Sequence, residues 1–119
     1  MRNFRKLSVW EKSHTLTLNI YKSTSSFPKE ELYGLTSQMR RAASSIPSNI
    51  AEGCGRNTQA QFARFLIIAF GSASELEYQL ILSKDLSFIN NEAFSELFEK
   101  ITEVKRMLYS LIQKVQTDN

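Results

Sequence analysis

Residues 58–82 read TQAQFARFLIIAFGSASELEYQLIL. Within this stretch Phe62, Leu66, Ala69, Ala73, Leu76 and Leu80 recur at spacings of 4, 3, 4, 3 and 4. A strand would alternate every second residue, whereas this pattern lays six apolar side chains on one stripe of an α-helix. Strict alternation of 3 and 4 is also the seam of left-handed, nearly parallel helix packing. Thr58, with Gln61 three residues on, reads as a capping box that starts the helix. The run FLIIAF at 65–70 is apolar all round, which a helix with one wet face does not need.

The same signal extends in both directions. Toward the C-terminus, Asn90 or Asn91 caps a helix whose apolar set is Phe94, Leu97, Ile101, Val104, Leu108, Leu111 and Val115. Toward the N-terminus, RRAASSIPSNIAEGCGR occupies residues 40–56 and continues a stripe of Leu35, Met39, Ala42, Ile46 and Ile50. Pro47 falls inside that stripe. It removes a backbone donor and crowds the carbonyl of Ala43, so a kink is expected, but the apolar phase continues and favours one bent helix over two. Gly53 and Gly55 are expected to end it. Ser8 and Glu11 in SVWE form a further capping box, so the first helix should start at Val9 and carry Val9, Ser13, Leu16 and Ile20 on one face. The expected helices are therefore about 9–24, 31–53, 59–86 and 91–116. Short connections make neighbours antiparallel, so the fold class is all-α: an up-down-up-down four-helix bundle forming one domain over residues 1–119.

Composition agrees. Apolar residues make up 42% and charged residues 23%, ordinary globular values, and six Gly and Pro together are too few for a turn-rich β fold. Cys54 is the one cysteine, which rules out an internal disulfide and fits a reducing cytoplasmic setting. No stretch of about 18 uninterrupted apolar residues occurs, so no membrane partner is expected. The net charge is +3, but residues 1–56 carry nine Lys/Arg against four Asp/Glu, and residues 57–119 six against eight. Such a split suits an anionic partner at one end, or the basic half of one copy against the acidic half of another.

The chemistry-bearing residues are few. His14 is the single histidine, so bundle metal sites built from repeated Glu-x-x-His pairs and zinc sites built from clustered Cys and His are both excluded, and no cofactor is expected. No third residue orients a Cys54–His14 pair, and GCG at 53–55 lacks the Lys-Ser/Thr of a phosphate loop. An enzyme is not expected. The arginines are the better candidates. Arg40, Arg41 and Arg56, helped by Lys6 and Arg64, are of the type that contacts phosphates, since the planar guanidinium fork binds phosphate oxygens in pairs. The plainer reading has them bonding across helices or subunits, for instance to Glu75 or Glu77. Trp10, Tyr21, Phe65 and Ile68 lie off the seams and are the expected oligomer contacts.

In this order and spacing, FRKLSVW, FPKEELYGLTSQMRRAASSIPSNIAEGCGR and FARFLIIAFGSASELEYQL resemble the four-helix bundle proteins of the 23S rRNA intervening-sequence family. The resemblance runs from about Phe4 to Leu86 and rests on the combination of Tyr33-Gly34-Leu35, Arg40-Arg41, Ile46-Pro47, Asn49 to Gly53, Gly55-Arg56 and Gly71-Ser72. It implies a small bacterial protein that assembles into a ring-like homopentamer. A related accessory protein, the variability determinant of diversity-generating retroelements, is similar too. That likeness implies a basic pentameric barrel working with nucleic acid and a nucleic-acid-processing protein. Two functions follow as expectations. One is an oligomeric bundle that binds structured RNA or a ribonucleoprotein. The other is a protein-interaction scaffold whose arginines serve intersubunit ion pairs.

Overall fold

The computed structural model describes residues 2–118. Four α-helices run Ser8–Thr24 (α1), Leu35–Cys54 (α2), Gln59–Asp85 (α3) and Asn91–Thr117 (α4). No strand occurs among the described residues. Each helix packs on its sequence neighbours, and α1 closes the square against α4, so that α1 and α3, like α2 and α4, stand on the diagonals. The bundle measures 46 × 23 × 20 Å. The seam of α3 is as its spacing predicts: Phe62, Leu66, Ala69, Ala73, Leu76 and Leu80 are all fully buried.

The helix ends show where local chemistry acts. Thr58 and Asn90 cap α3 and α4, accepting hydrogen bonds from the backbone N–H groups of Gln61 (3.1 Å) and Ala93 (2.8 Å). The expected Ser8 capping box does not form. A 3₁₀ turn over Phe4–Lys6 leads directly into α1, and the helix starts one residue early from Leu7 with no side-chain cap. The Leu7 carbonyl already accepts from Trp10 and Glu11 at 3.0 and 3.2 Å, which draws Ser8 into the first turn. The second helix starts later than expected. Lys29–Glu31 is a 3₁₀ turn, Gly34 leaves helical geometry, and Leu35 N donates to Glu31 Oε1 at 3.1 Å to open α2. Beyond α3, Ser87 takes the left-handed region (φ 63°). That residue completes a Schellman cap, with Phe88 N on Ser83 O at 2.8 Å and Ser87 N on Lys84 O at 2.9 Å. Phe88 then rests against Phe27, 5.4 Å between ring centroids.

The stripe on α4 departs from expectation near its end. Ile112, not Leu111, enters the core, and Leu111 is left half-buried beside it. At 3.6 residues per turn a long straight helix drifts from a strict 3.5 repeat, so a four-residue step from Leu108 keeps the stripe on the core.

Two features of α2 hold the bundle together. The first concerns Pro47, which lies buried within a helix that continues through it. Because proline has no N–H, the carbonyl of Ala43 lacks its helical donor. Thr17 Oγ1 on α1 lies 2.9 Å from that carbonyl and equally 2.9 Å from Ser13 O. The Ser13 carbonyl sits inside α1 with a helical N–H of its own, so the hydroxyl proton is worth more on Ala43. The second is Gly53, which belongs to the helix instead of ending it. A Cβ there would lie 2.9 Å from Phe65 Cβ and 3.1 Å from Phe62 Cδ1, so glycine sets the approach of α2 to α3. Gly55 is the residue at which α2 ends.

Thr17→Val should cost about 1–3 kcal/mol, the penalty of an unsatisfied buried carbonyl. In a Pro47→Ala background the N–H of residue 47 is restored, and the same change should cost clearly less; chemical denaturation across the four variants measures the coupling. Gly53→Ala should destabilise by about 1–3 kcal/mol through overpacking against Phe62 and Phe65, read as a lower unfolding midpoint.

Candidate nucleic-acid interface

The five basic candidates do not form one cluster. Arg40 and Arg41 lie near the start of α2, and Arg56 just beyond its end, roughly 20 Å apart at 1.5 Å per residue. Arg40 is turned back onto α1. Its Nε donates to Thr24 Oγ1 (2.9 Å) and a terminal nitrogen to Tyr21 O (3.3 Å), while the guanidinium lies 4.9 Å from the Tyr21 ring centroid. It therefore holds the last turn of α1 against α2. Arg41 is exposed and makes no ion pair among the described residues. It borders a polar groove between α2 and α3 that includes Ser45, Ser48, Ser72 and Glu75. Ser72 donates to Ser45 Oγ at 2.9 Å, and Asn49 Nδ2 reaches the same hydroxyl at 2.9 Å, so the small residues here knit the two helices together. The plainer expectation that these arginines bond Glu75 or Glu77 does not hold within the chain. Glu77 pairs instead with Lys105 (2.7 Å), and Glu75 accepts from Gln79 (3.2 Å).

Arg56, Arg64 and Lys6 share the opposite end, where α2 finishes, α3 begins and α1 is entered. Arg56 pairs with Glu52 at 2.7 Å and lies 4.8 Å from the Phe65 ring centroid. Arg64 and Lys6 are exposed, with no ion pair among the described residues. Arg2 joins them unforeseen. Its backbone N–H donates to Cys54 O (3.0 Å), its side chain to Gln59 Oε1, and its guanidinium stands 4.0 Å from the centroid of Phe62. Nothing local in the sequence marks Arg2, because its position depends on α2 and α3 meeting beneath it.

The fold thus turns the uneven charge of the sequence into an axial one. The half of the bundle formed by residues 2–15, 45–72 and 104–118 carries nine Lys/Arg against three Asp/Glu. The other half, residues 16–44 and 73–103, carries six against nine. The acidic end gathers Glu92, Glu96 and Glu99 on α4 with Asp85, the last residue of α3, and with Glu30 and Glu31 from the 3₁₀ turn before α2.

His14 stacks on Trp10, with ring centroids 5.1 Å apart and planes 6° from parallel. Cys54 is buried; burial pushes its thiol above the usual range, and the positive charge of Arg2 draws it partly back. A raised thiol is protonated near neutrality and a poor nucleophile. Among the described residues no group of three or more His, Cys, Asp or Glu could hold a metal ion.

The four expected contact residues lie on two sides of the bundle. Trp10 and Tyr21 sit on α1, Phe65 and Ile68 on α3, and these helices are diagonal to one another. Trp10 is half-buried against Phe4 (5.0 Å, edge on), and Phe65 is half-buried beneath Arg56. Ile68 (42% exposed) and its neighbour Ile67 (49%) carry the wet part of the FLIIAF run, and Tyr21 is 45% exposed. By length and composition alone α3 is apolar enough to cross a membrane, with a mean hydropathy of 1.3 over 18 residues. In this fold it is the helix between α2 and α4, with its seam in the core.

A crystal structure of a protein with unknown function from the S23 ribosomal protein family of Bacteroides thetaiotaomicron VPI-5482 has a similar fold. The TM-score is 0.79 at 29% identity, over 88% of this chain and 95% of that one. No curated protein matches the chain. The model of the 23S rRNA-intervening sequence protein family matches residues 5–110, from the 3₁₀ turn ahead of α1 to the last turns of α4. With nearly the whole bundle matched, the chain belongs to the 23S rRNA-intervening sequence protein family.

Proposed function

We propose that this protein is a non-enzymatic, oligomeric helical bundle of the cytoplasm that binds structured RNA, or a ribonucleoprotein, through phosphate contacts at its basic end. The observation that carries the reading is the axial charge. Arg2, Lys6, Arg56 and Arg64 share the end where positive charge outnumbers negative three to one. Arg2 and Arg56 are also held in place by aromatic rings, which lowers the ordering cost of a phosphate contact. The family and the similar crystal structure both carry names drawn from the ribosome or its RNA, and this supports the choice of polyanion. Of the residues first expected at the interface, Arg40 is given to the α1–α2 joint, and Arg41 lies on the other half of the bundle.

Assembly multiplies a modest patch. A ring needs two different contact faces on each subunit, and apolar groups on diagonal helices supply them: Trp10 and Tyr21 on one side, Phe65 and Ile68 on the other. A pentamer would present five basic ends together, raising avidity without any new contact. The competing reading, a protein scaffold with no nucleic acid, draws support from Arg40 and Arg56, which already have partners within the chain.

Fluorescence anisotropy of a labelled rRNA hairpin across a salt series separates the two. Each lost phosphate contact should flatten the log–log slope by up to about 0.9 on a duplex. Lys6→Ala with Arg64→Ala should flatten it by up to about 1.8 on that basis, and Arg41→Ala should leave it unchanged. Absence of binding at low salt, or equal loss in both variants, overturns the basic-end reading. Sedimentation at micromolar concentration should show a species several times the 13.7 kDa chain, and a monomer would remove the assembly from the proposal.

A further inference from the structure

The 17-residue α1 lies beside the 27-residue α4 and leaves the last turns of α4 partly uncovered. Between them runs an open groove with a cavity of about 440 Å³. Its floor is aliphatic: Leu7 and Val9 from the start of α1, Met107 and Leu111 from α4. The step of the core stripe from Leu108 to Ile112 is what leaves Met107 and Leu111 outside it, one turn apart and half-buried. Arg106 and Lys114 border the groove. Both are exposed, and neither makes an ion pair among the described residues.

We propose that this groove docks an acidic, amphipathic helical segment of a partner protein. Apolar side chains spaced one turn apart would fill the strip over Leu7, Met107 and Leu111, and flanking carboxylates would meet Arg106 and Lys114. This is the helix-in-groove mode of recognition, with charge complementarity choosing the occupant. The floor argues against nucleic acid at this place. It offers no aromatic face on which a base can stack, and a sugar–phosphate chain gains nothing from aliphatic carbon. The open shape argues against an acyl chain, much of which would stay wet. The inference uses neither Arg56 nor Arg64, although Arg106 and Lys114 belong to the same basic half of the bundle, so the RNA hairpin is measured beside the peptide on every variant.

The test uses the full chain and a fluorescein-labelled 16-residue peptide. The peptide carries Leu at positions 5, 8, 9 and 12, Glu at the flanking positions and Ala elsewhere, and a scrambled peptide of the same composition is the control. The patterned peptide should bind about tenfold more tightly than the control, and Met107→Asp should remove that advantage. Arg106→Glu with Lys114→Glu changes only exposed groups, so it should keep the helical circular dichroism while weakening the peptide about tenfold or more. Equal binding of the two peptides, or unchanged binding by the double charge variant, overturns the proposal. So does displacement of the peptide by an rRNA hairpin whose own binding falls in Met107→Asp, which would assign the groove to nucleic acid. A lower sedimented mass of peptide-free Met107→Asp overturns it as well, because the groove would then be a contact between copies.

Discussion

The carbonyl of Ala43 is the point on which the arrangement of α1 and α2 turns. Proline four residues on denies it the helical N–H, and a buried carbonyl without a donor costs free energy comparable to a lost hydrogen bond. The donor comes from Thr17 on the neighbouring helix. A local defect in one helix has thereby become a specific bond between two, and it fixes the height at which α1 stands against α2. Arg40 acts on the same joint one turn nearer the start of α2, binding Thr24 and the Tyr21 carbonyl where α1 ends. Gly53 does for α2 and α3 what Thr17 does for α1 and α2, by permitting contact where a methyl group would collide. Much of the stretch from Arg40 to Arg56, with its three arginines and one proline, is accounted for by these three contacts, before any ligand is considered.

Much of the fold is legible in the sequence because burial imposes a period. The seam of α3 and the cap Thr58 can be read directly, and the cap of α4 is narrowed to Asn90 or Asn91, since each depends on residues within four positions of one another. What escapes reading depends on competition or on distance. Ser8 has the composition of a cap, but the 3₁₀ turn before it lets the Leu7 carbonyl take the first helical bonds. Leu111 and Ile112 are chemically alike, and only the accumulated drift of a long helix decides between them. Left-handed Ser87 is invisible because glycine is the usual residue at that position, and tertiary packing of Phe88 on Phe27 accompanies a serine there.

The basic residues illustrate the same limit more sharply. Their side-chain type is plain from the sequence, and type alone groups Arg40, Arg41 and Arg56 by proximity in the chain. A helix of 20 residues then carries its two ends to opposite poles of the bundle. Antiparallel packing does the reverse for Lys6, Arg56 and Arg64, bringing together residues from three separate segments. Arg2 belongs with them only because Phe62 and Gln59 are waiting at the start of α3.

A subunit charged at one pole and oppositely charged at the other behaves as a permanent dipole. A polyanion exerts a torque on it before contact, so encounter favours one orientation. In any ring of parallel copies the like poles also stand side by side and repel. A nucleic acid laid across them would screen that repulsion, and by thermodynamic linkage whatever helps the ring close would then tighten the grip on the polyanion. In such a ring, the number of subunits and the affinity for the ligand would become two readings of a single equilibrium.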